Sequence, residues 1–224
     1  MILTIGTTKG GVGKTTLAIQ LAVEAARGGV DVELIDADRQ GTAMAALAMR
    51  EQAGVTPAVR HQHCTTAAAL AAALEHSPAG RLTLIDAGGR DSETLRAALV
   101  SADRVVMPYG PRSYDIWGLE DMAELLTEAR AAGAILEAWA LLNGADPGGA
   151  VLARDNREAA AAAAEIEGIT AIDPARTRLG RRKAFASAAG DGLSVHELPV
   201  RFRDPKAERE LAAAYRVVMA EEVA

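Results

Sequence analysis

Cysteine, lysine and aromatic residues are all scarce in this chain of 224 residues. The single cysteine, Cys64, excludes an internal disulfide and any cysteine cluster ligated within one chain, and such a composition suits a reducing cytoplasm. Aromatic residues make up 3% of the sequence, which argues against a protein that binds single-stranded nucleic acid by stacking the bases on aromatic side chains. The sequence shows neither a signal peptide nor an apolar run of about 18 residues, so we expect a cytoplasmic protein with no membrane contact.

Apolar residues, by contrast, are plentiful at 50% of the chain, which excludes global disorder. The length predicts one domain over residues 1–224 with a single substantial core. The formal net charge is −6, and the 24 basic residues include four lysines, two of which are Lys9 and Lys14. A negative net charge still permits nucleic-acid binding, because such binding depends on a local basic face and not on the charge of the whole chain.

Short runs rich in Val, Ile and Leu alternate with helix-like segments along the chain. We predict strands at 2–6, 32–36, 82–86, 104–108, 136–143 and 169–173. We predict helices at 14–27, 40–50, 66–76, 92–101, 115–132, 155–166, 179–189 and 205–222. Nearly continuous apolar strands are typical of a sheet buried on both faces. The pattern therefore indicates an α/β fold, a doubly wound and mostly parallel sheet with helices on both faces.

The stretch TKGGVGKT, residues 8–15, follows the first predicted strand and precedes a helix. It fits the phosphate-binding pattern G-x-x-x-x-G-K-[ST] except that Thr8 stands at the first glycine. Lys14 is predicted to reach the β- and γ-phosphates, and Thr15 to hold Mg²⁺, while Lys9 has no role in that pattern. The predicted nucleotide-binding residues are Gly10, Gly11, Val12, Gly13, Lys14, Thr15 and Thr16.

Carboxylates follow two predicted strands at the edge where open α/β sheets bind ligands. Asp36 and Asp38 end the second strand, and Asp86 ends the third. We predict that Asp38 orients the attacking water and that Asp86 supports the metal with Thr15. Asp36 is predicted to support either the metal or the loop. The structural alternative for each is a strand-terminal aspartate that caps the next turn.

The run from Lys9 to Thr16 resembles the deviant Walker A motif of the ParA/MinD ATPases. IDADRQGTA (35–43) is similar to a second family segment, and LIDAGGRDSETLRAAL (84–99) resembles its Walker B region. Residues 102–121 and 177–198 resemble later blocks of the small partition-type members, so the resemblance covers nearly the whole chain. It implies a P-loop NTPase fold, ATP and Mg²⁺ as ligands, slow ATP hydrolysis and a homodimer formed with ATP.

The resemblance also implies roles for two residues that the loop pattern leaves unexplained. Lys9 matches the signature lysine, which in this family reaches across a nucleotide-sandwich dimer to the phosphates of the other subunit. Asn143 resembles the base-contacting asparagine of the family, although a polar loop cap is the alternative. The sequence departs from the family at Arg39 and Gly88, where proline is usual, and both departures put the hydrolysis rate in question.

A basic cluster lies late in the chain, with five cations in the eight residues 176–183. Its members are Arg176, Arg178, Arg181, Arg182 and Lys183. Such a cluster favours binding to duplex phosphates without sequence readout, and a solvated face is the alternative. A second basic group, at 201–209, is interleaved with acidic residues, and there a solvated face is an equally good interpretation.

The resemblance implies a role in segregating a plasmid or a chromosomal locus, on the nucleoid of a bacterium. The chain begins on its first strand, so we expect no N-terminal DNA-binding extension. Operator recognition would then fall to a ParB-like or small centromere-binding partner, which by family analogy also stimulates hydrolysis. The alternatives are an ATPase that positions a protein cargo and, from another class, a biosynthetic P-loop enzyme.

Two further features favour simple interpretations. The tail from 212 to 224 is short and acidic at its end, which argues against an amphipathic membrane helix. The segment His61-Gln-His63-Cys64 hints at a metal, but no second cluster accompanies it, and an exposed loop is the simpler interpretation.

Overall fold

This computed structural model of the chain describes residues 1–89, 91–111, 113–145, 164 and 166–219. Among these residues, no helix combines the length and the apolar character that crossing a membrane requires.

Seven strands form one sheet in which every neighbouring pair is parallel. They are β1 (Ile2–Ile5), β2 (Val32–Asp36), β3 (Arg60–His63), β4 (Leu82–Asp86), β5 (Arg104–Tyr109), β6 (Glu137–Ala145) and β7 (Asp173–Gly180). Their order across the sheet is β3-β2-β4-β1-β5-β6-β7. All residues of β4 and β5 are buried, as expected for strands covered on both faces.

Helices cover both faces of this sheet. They are α1 (Lys14–Arg27), α2 (Thr42–Gln52), α3 (Ala67–Glu75), α4 (Glu93–Ser101), α5 (Ser113–Ala131), α6 (Lys183–Gly190) and α7 (Pro205–Met219), with 3₁₀ turns at Val195–Glu197 and Val200–Phe202. One apolar core joins the sheet to α1, α2, α6 and α7, and another joins it to α4 and α5. The α/β doubly wound architecture predicted from the sequence is therefore confirmed.

The sheet order reverses at β1, which lies between β4 and β5. The chain builds β2, β3 and β4 on one side of β1 and then passes from β4 to β5, β6 and β7 on the other side. A crevice opens at such a switch point, outside the carboxyl ends of the strands. The register places Asp86 opposite both Ile5 and Asp36, so the aspartates that end β2 and β4 are neighbours.

The five predicted strands inside the sheet agree with the structure to within two residues at each end, but both edge strands were predicted wrongly. The predicted loop at 61–64 overlaps edge strand β3, whose residues Arg60, His61, Gln62 and His63 carry no apolar signal. The predicted strand at 169–173 is wrong. Residues 169–172 turn through Ile169 N–H···O Ile166 and Ile172 N–H···O Ile169 bonds, and Ile172 packs into the core beside α5.

The chain enters β7 only at Asp173, and this strand is polar because it lies at the sheet edge with most of its residues partly or fully exposed. The predicted helix at 179–189 accordingly begins later, at Lys183. The predicted helix at 155–166 lies almost entirely outside the described residues.

Candidate nucleotide site

The loop between β1 and α1 has the backbone geometry of a phosphate cradle. Gly11 and Gly13 adopt positive φ angles of 77° and 89°, which L side chains rarely tolerate. Gly13 caps α1 without a side-chain hydrogen bond, and the first turn of the helix contains no acidic residue. The first N–H groups of α1 are therefore left for a ligand, and the helix dipole favours an anion there.

Lys14 is buried at the base of this loop, with 8% of its surface exposed. Its Nζ atom donates to the carbonyl of Lys9 at 2.8 Å, which folds the loop around the ammonium group. A Cβ atom at Gly89 would lie 2.8 Å from this Nζ atom, so a larger residue there would displace the end of the lysine side chain. Burial lowers the pKa of Lys14, while the charges of Asp86 and Asp38 oppose that shift. A phosphate group would add to the negative charge that Asp86 and Asp38 place around this buried cation.

Asp86 is a buried carboxyl group that has no hydrogen-bond partner among the described residues. Both of its oxygens are inaccessible to solvent and make no hydrogen bond. Burial raises its pKa to about 7, and Asp36 and Asp38 add to the shift. The Thr15 hydroxyl and Lys14 lie close enough to lower this pKa, although neither makes a hydrogen bond of normal geometry to the Asp86 oxygens.

These residues fit Mg²⁺, a hard cation that takes oxygen ligands and keeps several waters. Asp86 offers two unpartnered oxygens beside the Thr15 hydroxyl. Within the described part of the chain, no group of three or more His, Cys, Asp or Glu could hold a metal alone. Substrate phosphates and water would therefore complete the coordination, as is usual for Mg²⁺ at nucleotide sites.

The other two aspartates make different contacts. Asp36 is fully buried and accepts hydrogen bonds from the backbone N–H groups of Asp38 and Met44 at 3.1 and 2.9 Å. Its carboxylate thus braces the following loop and the start of α2, as the loop alternative predicts. Asp38 accepts from the Gln40 N–H through one oxygen, and its other oxygen lies near Gly88.

A cavity of about 1030 Å³ brings several of the predicted groups together. Its walls include Gly13, Lys14, Thr15, Thr16, Asp38 and Gly89. Thr65 and Thr66 also line it, and the sequence analysis missed them because they follow the unpredicted strand β3. The cavity is large enough for a nucleotide by the usual size of ligand sites.

Lys9 does not line this cavity. It packs instead beside α5, where a Cβ atom at Gly118 would lie 3.1 Å from the Cβ atom of Lys9. The neighbouring Thr8 hydroxyl donates to the Gly118 carbonyl at 3.3 Å. The two lysines of the loop therefore occupy different places, one inside the cradle and one outside it.

Asn143 lies near the end of β6 and supports the phosphate loop. Its Nδ2 atom donates to the Val12 carbonyl at 2.7 Å. A Cβ atom at Gly13 would approach this nitrogen to 2.4 Å, a second reason for glycine at that position. Among the roles expected from the sequence, the loop cap is the one nearest to this contact, and adenine contact by Asn143 stays a prediction.

The predicted DNA-binding residues lie along and just beyond the edge strand β7. Arg176, Arg178, Arg181 and Lys183 are exposed there. Arg182 differs, because its guanidinium pairs with Glu210 at 2.6 Å and Asp204 at 3.4 Å and its side chain is 11% exposed. This pairing ties β7 to α7 and gives Arg182 a structural role, while its contact with DNA phosphates stays a prediction.

The metal suggestion at residues 61–64 finds no support in the described structure. His61 bonds the Val59 carbonyl through Nδ1, and Cys64 is buried. These residues belong to no group of potential metal ligands among the described residues.

Comparison with known proteins agrees with this geometry. The chromosome-partitioning ATPase Soj of Thermus thermophilus is 32% identical over 149 residues, covering 55% of this chain and 60% of that protein. Protein ParA of Rhizobium radiobacter is 28% identical over 116 residues, covering 51% and 50%. This chain thus matches only 50–60% of the length of either curated relative.

Among solved structures, the ATP complex of a McdA variant from Cyanothece superposes with a TM-score of 0.74 at 18% identity, covering 100% of this chain and 98% of that one. At that identity the likeness shows the fold. Residues 3–195 match the CobQ/CobB/MinD/ParA nucleotide binding domain, which is most of the chain. Its phosphate loop, Lys14 and Asp38 line one cavity, and the chain belongs to the ParA/MinD family of nucleotide-binding proteins.

Proposed function

We propose that the protein is a Mg²⁺-dependent ATPase of the ParA type that acts in plasmid or chromosome partition. The observation that carries this proposal is the buried pair of Lys14 and Asp86 beneath a glycine cradle. Each is a desolvated charge that a nucleotide phosphate and its metal would neutralise. The similarity to Soj and ParA supports partition as the setting.

In this proposal Lys14 binds the β- and γ-phosphates, and Thr15 with Asp86 holds Mg²⁺. Bound Mg²⁺ supplies charge neutralisation on the phosphate oxygens. Asp38 orients the attacking water, which suits its place in the cavity wall. Asp36 keeps the Asp38 loop in place through backbone contacts. Asn143 reaches adenine from the β6 side of the loop.

The protein further dimerises with ATP between the subunits, and Lys9 acts on the partner's phosphates. Lys9 lies outside its own cavity, which supports a role in trans. In the ATP state the dimer binds duplex DNA without sequence readout, through Arg176, Arg178, Arg181 and Lys183 on one sheet edge. A ParB-like or small centromere-binding protein in the cytoplasm stimulates hydrolysis, which releases the DNA.

The test is binding to random-sequence duplex DNA with ATP, with ADP and without nucleotide, at about 50 and 200 mM salt. We expect tight, salt-sensitive binding with ATP alone. A plot of the logarithm of the DNA-binding constant against the logarithm of the salt concentration gives a slope. Replacing Arg176, Arg178 and Arg181 by Ala should reduce the magnitude of this slope by about one for each phosphate that the variant no longer neutralises. Arg60→Ala, on the opposite edge strand, is the matched control and should change nothing.

Failure to bind DNA in any nucleotide state would contradict the proposal that ATP controls DNA binding by this protein. ATP hydrolysis without DNA binding would instead favour an ATPase that positions a protein cargo.

A further inference from the structure

The loop that carries Asp38 is held by a side chain from outside its own segment. The Asp38 carbonyl accepts two hydrogen bonds, one from the Gly41 N–H at 3.1 Å and one at 2.7 Å from Nε2 of His63. The first closes the turn locally. The second comes from a residue 25 positions away and anchors the backbone at Asp38 to the edge of the sheet.

His63 reaches this loop because it ends the edge strand β3. It is in register with Asp36 on β2, and the next residue, Cys64, donates its N–H to the Asp36 carbonyl at 2.9 Å. The imidazole lies over Gly41, where a Cβ atom would be 3.3 Å from Cε1 of the ring. Gly41 also has a φ of 64°, so the loop, the ring and the start of α2 fit together only with glycine there.

The chemistry of the contact sets its direction. A carbonyl oxygen can only accept, so Nε2 of His63 carries the proton and donates. Both the neutral Nε2–H form and the imidazolium can make this bond. His63 itself does not line the cavity, whereas Asp38 does, so the hydrogen bond to the Asp38 backbone links the imidazole to the cavity wall.

We propose that His63 is a positioning residue that fixes the Asp38 carboxylate for its role in hydrolysis. This inference rests on the proposed ATPase function. It also explains how this loop tolerates Arg39, where proline is usual in the family. The restraint that a proline would place on the loop comes instead from the imidazole of His63 on β3. The segment from His63 to Thr66 then has two tasks, because Thr65 and Thr66 form part of the cavity wall.

The experiment compares His63→Ala with His63→Gln and His63→Asn in the full chain. The Gln amide nitrogen can reach the position of Nε2, whereas the shorter Asn amide cannot. We expect His63→Ala and His63→Asn to lower kcat about 10-fold or more, because misplacing a catalytic group by about 1 Å costs up to 100-fold. The dissociation constant for ATP should change little, and His63→Gln should recover most of kcat.

His76→Ala is the matched control, because His76 also bonds a backbone carbonyl but lies at the end of α3, away from the cavity. A second control places His63→Ala in an Asp38→Asn background, where it should cost nothing further. An equal loss in both backgrounds would show that His63 acts other than through Asp38.

The outcomes separate this inference from the proposed function. A wild-type protein that binds ATP but never hydrolyses it would overturn the proposed function and this inference with it. An active wild type with an equally active His63→Ala variant would overturn only the role of His63. Gln and Asn variants with the same kcat would also overturn it, because both are polar and only one can restore the bond.

Discussion

At the scale of single residues, the site is built from groups that are costly to bury. The fold removes the Asp86 carboxylate from water without giving it a hydrogen bond. Lys14 lies nearby and is also desolvated. Burial lowers the pKa of Lys14 and raises that of Asp86, because in both cases it disfavours the charged form. Such groups destabilise a protein unless a ligand compensates for their desolvation. The unused hydrogen-bonding capacity of Asp86 is therefore the clearest residue-level sign of a metal and phosphate site.

The first prediction concerns the pH dependence that Asp86 causes. Its folded pKa of about 7 lies above the unfolded value, so the folded state binds more protons between about pH 4 and 7. Without metal or nucleotide, stability should therefore fall as pH rises through this window, by an amount on the order of a few kcal/mol. Asp86→Asn should show a weaker fall and be more stable than wild type at pH 8.

The measurement is urea unfolding at pH 5 and pH 8 with EDTA. Mg²⁺ and ATP should raise the stability of wild type at pH 8 more than that of Asp86→Asn, because the variant keeps Lys14 but loses the metal carboxylate. Asp191→Asn, an exposed aspartate just after α6 and outside the cavity wall, serves as the control. Parallel pH profiles for wild type and Asp86→Asn would contradict the assignment.

At the scale of elements, the edge strand β7 is fastened to α7 by one side-chain network. Glu210 accepts from Arg182 through both oxygens and also accepts from the Gly180 N–H at 2.9 Å. Asp204 caps the start of α7 and contacts the same guanidinium. The network holds the end of the polar strand β7 against α7.

Arg182→Ala should therefore affect stability more than DNA binding. Removing the guanidinium leaves Glu210 half-buried without its charged hydrogen bonds, so we expect a loss of about 1–3 kcal/mol in the free energy of unfolding. Arg181→Ala, at the exposed neighbour, should stay within about 0.5 kcal/mol of wild type and weaken DNA binding more. Urea unfolding and DNA titration of both variants check this, and the reverse ranking would return Arg182 to the DNA-binding group.

At the scale of the whole molecule, the parallel sheet gathers the chemistry of the site at one edge. The carboxyl ends of β1 and β2 bring the phosphate loop and Asp38 to the wall of one cavity. Asp86, at the end of β4, is buried close to Lys14 of that wall. The exposed cations of β7 lie at the far side of the sheet from β3. A protein with a net charge of −6 thus presents a local basic edge.

The two lysines of the loop give a prediction about assembly. Lys14→Ala should abolish ATP binding, because it removes the cation inside the cradle. Lys9→Ala should keep ATP binding but lose the ATP-dependent dimer and lower hydrolysis by about 10³-fold, as loss of a cation in trans does elsewhere. Lys206→Ala, an exposed lysine on α7, is the control. Light scattering with and without ATP gives the mass, and a Lys9→Ala protein that still dimerises with ATP would contradict the trans role.

The sequence by itself determined the central strands of the sheet and the phosphate loop that follows β1. The strands β1, β2, β4 and β5 could be predicted because their apolar runs are local and continuous. The phosphate loop followed from the glycine and lysine spacing, and the aspartates Asp36, Asp38 and Asp86 from their places at strand ends. Local signals suffice there because the centre of a parallel sheet is buried on both faces and demands apolar residues.

Only the tertiary structure decided which segments form the edge strands of the sheet and which distant residues pair through their side chains. The strand β3 is polar and forms because β2 offers it a hydrogen-bonding edge, and β7 forms in the same way against β6. The partners of Arg182, Asn143 and His63 lie 22 to 131 residues away in the chain. No local pattern encodes such pairings, because they exist only once the sheet order has brought distant segments to one edge.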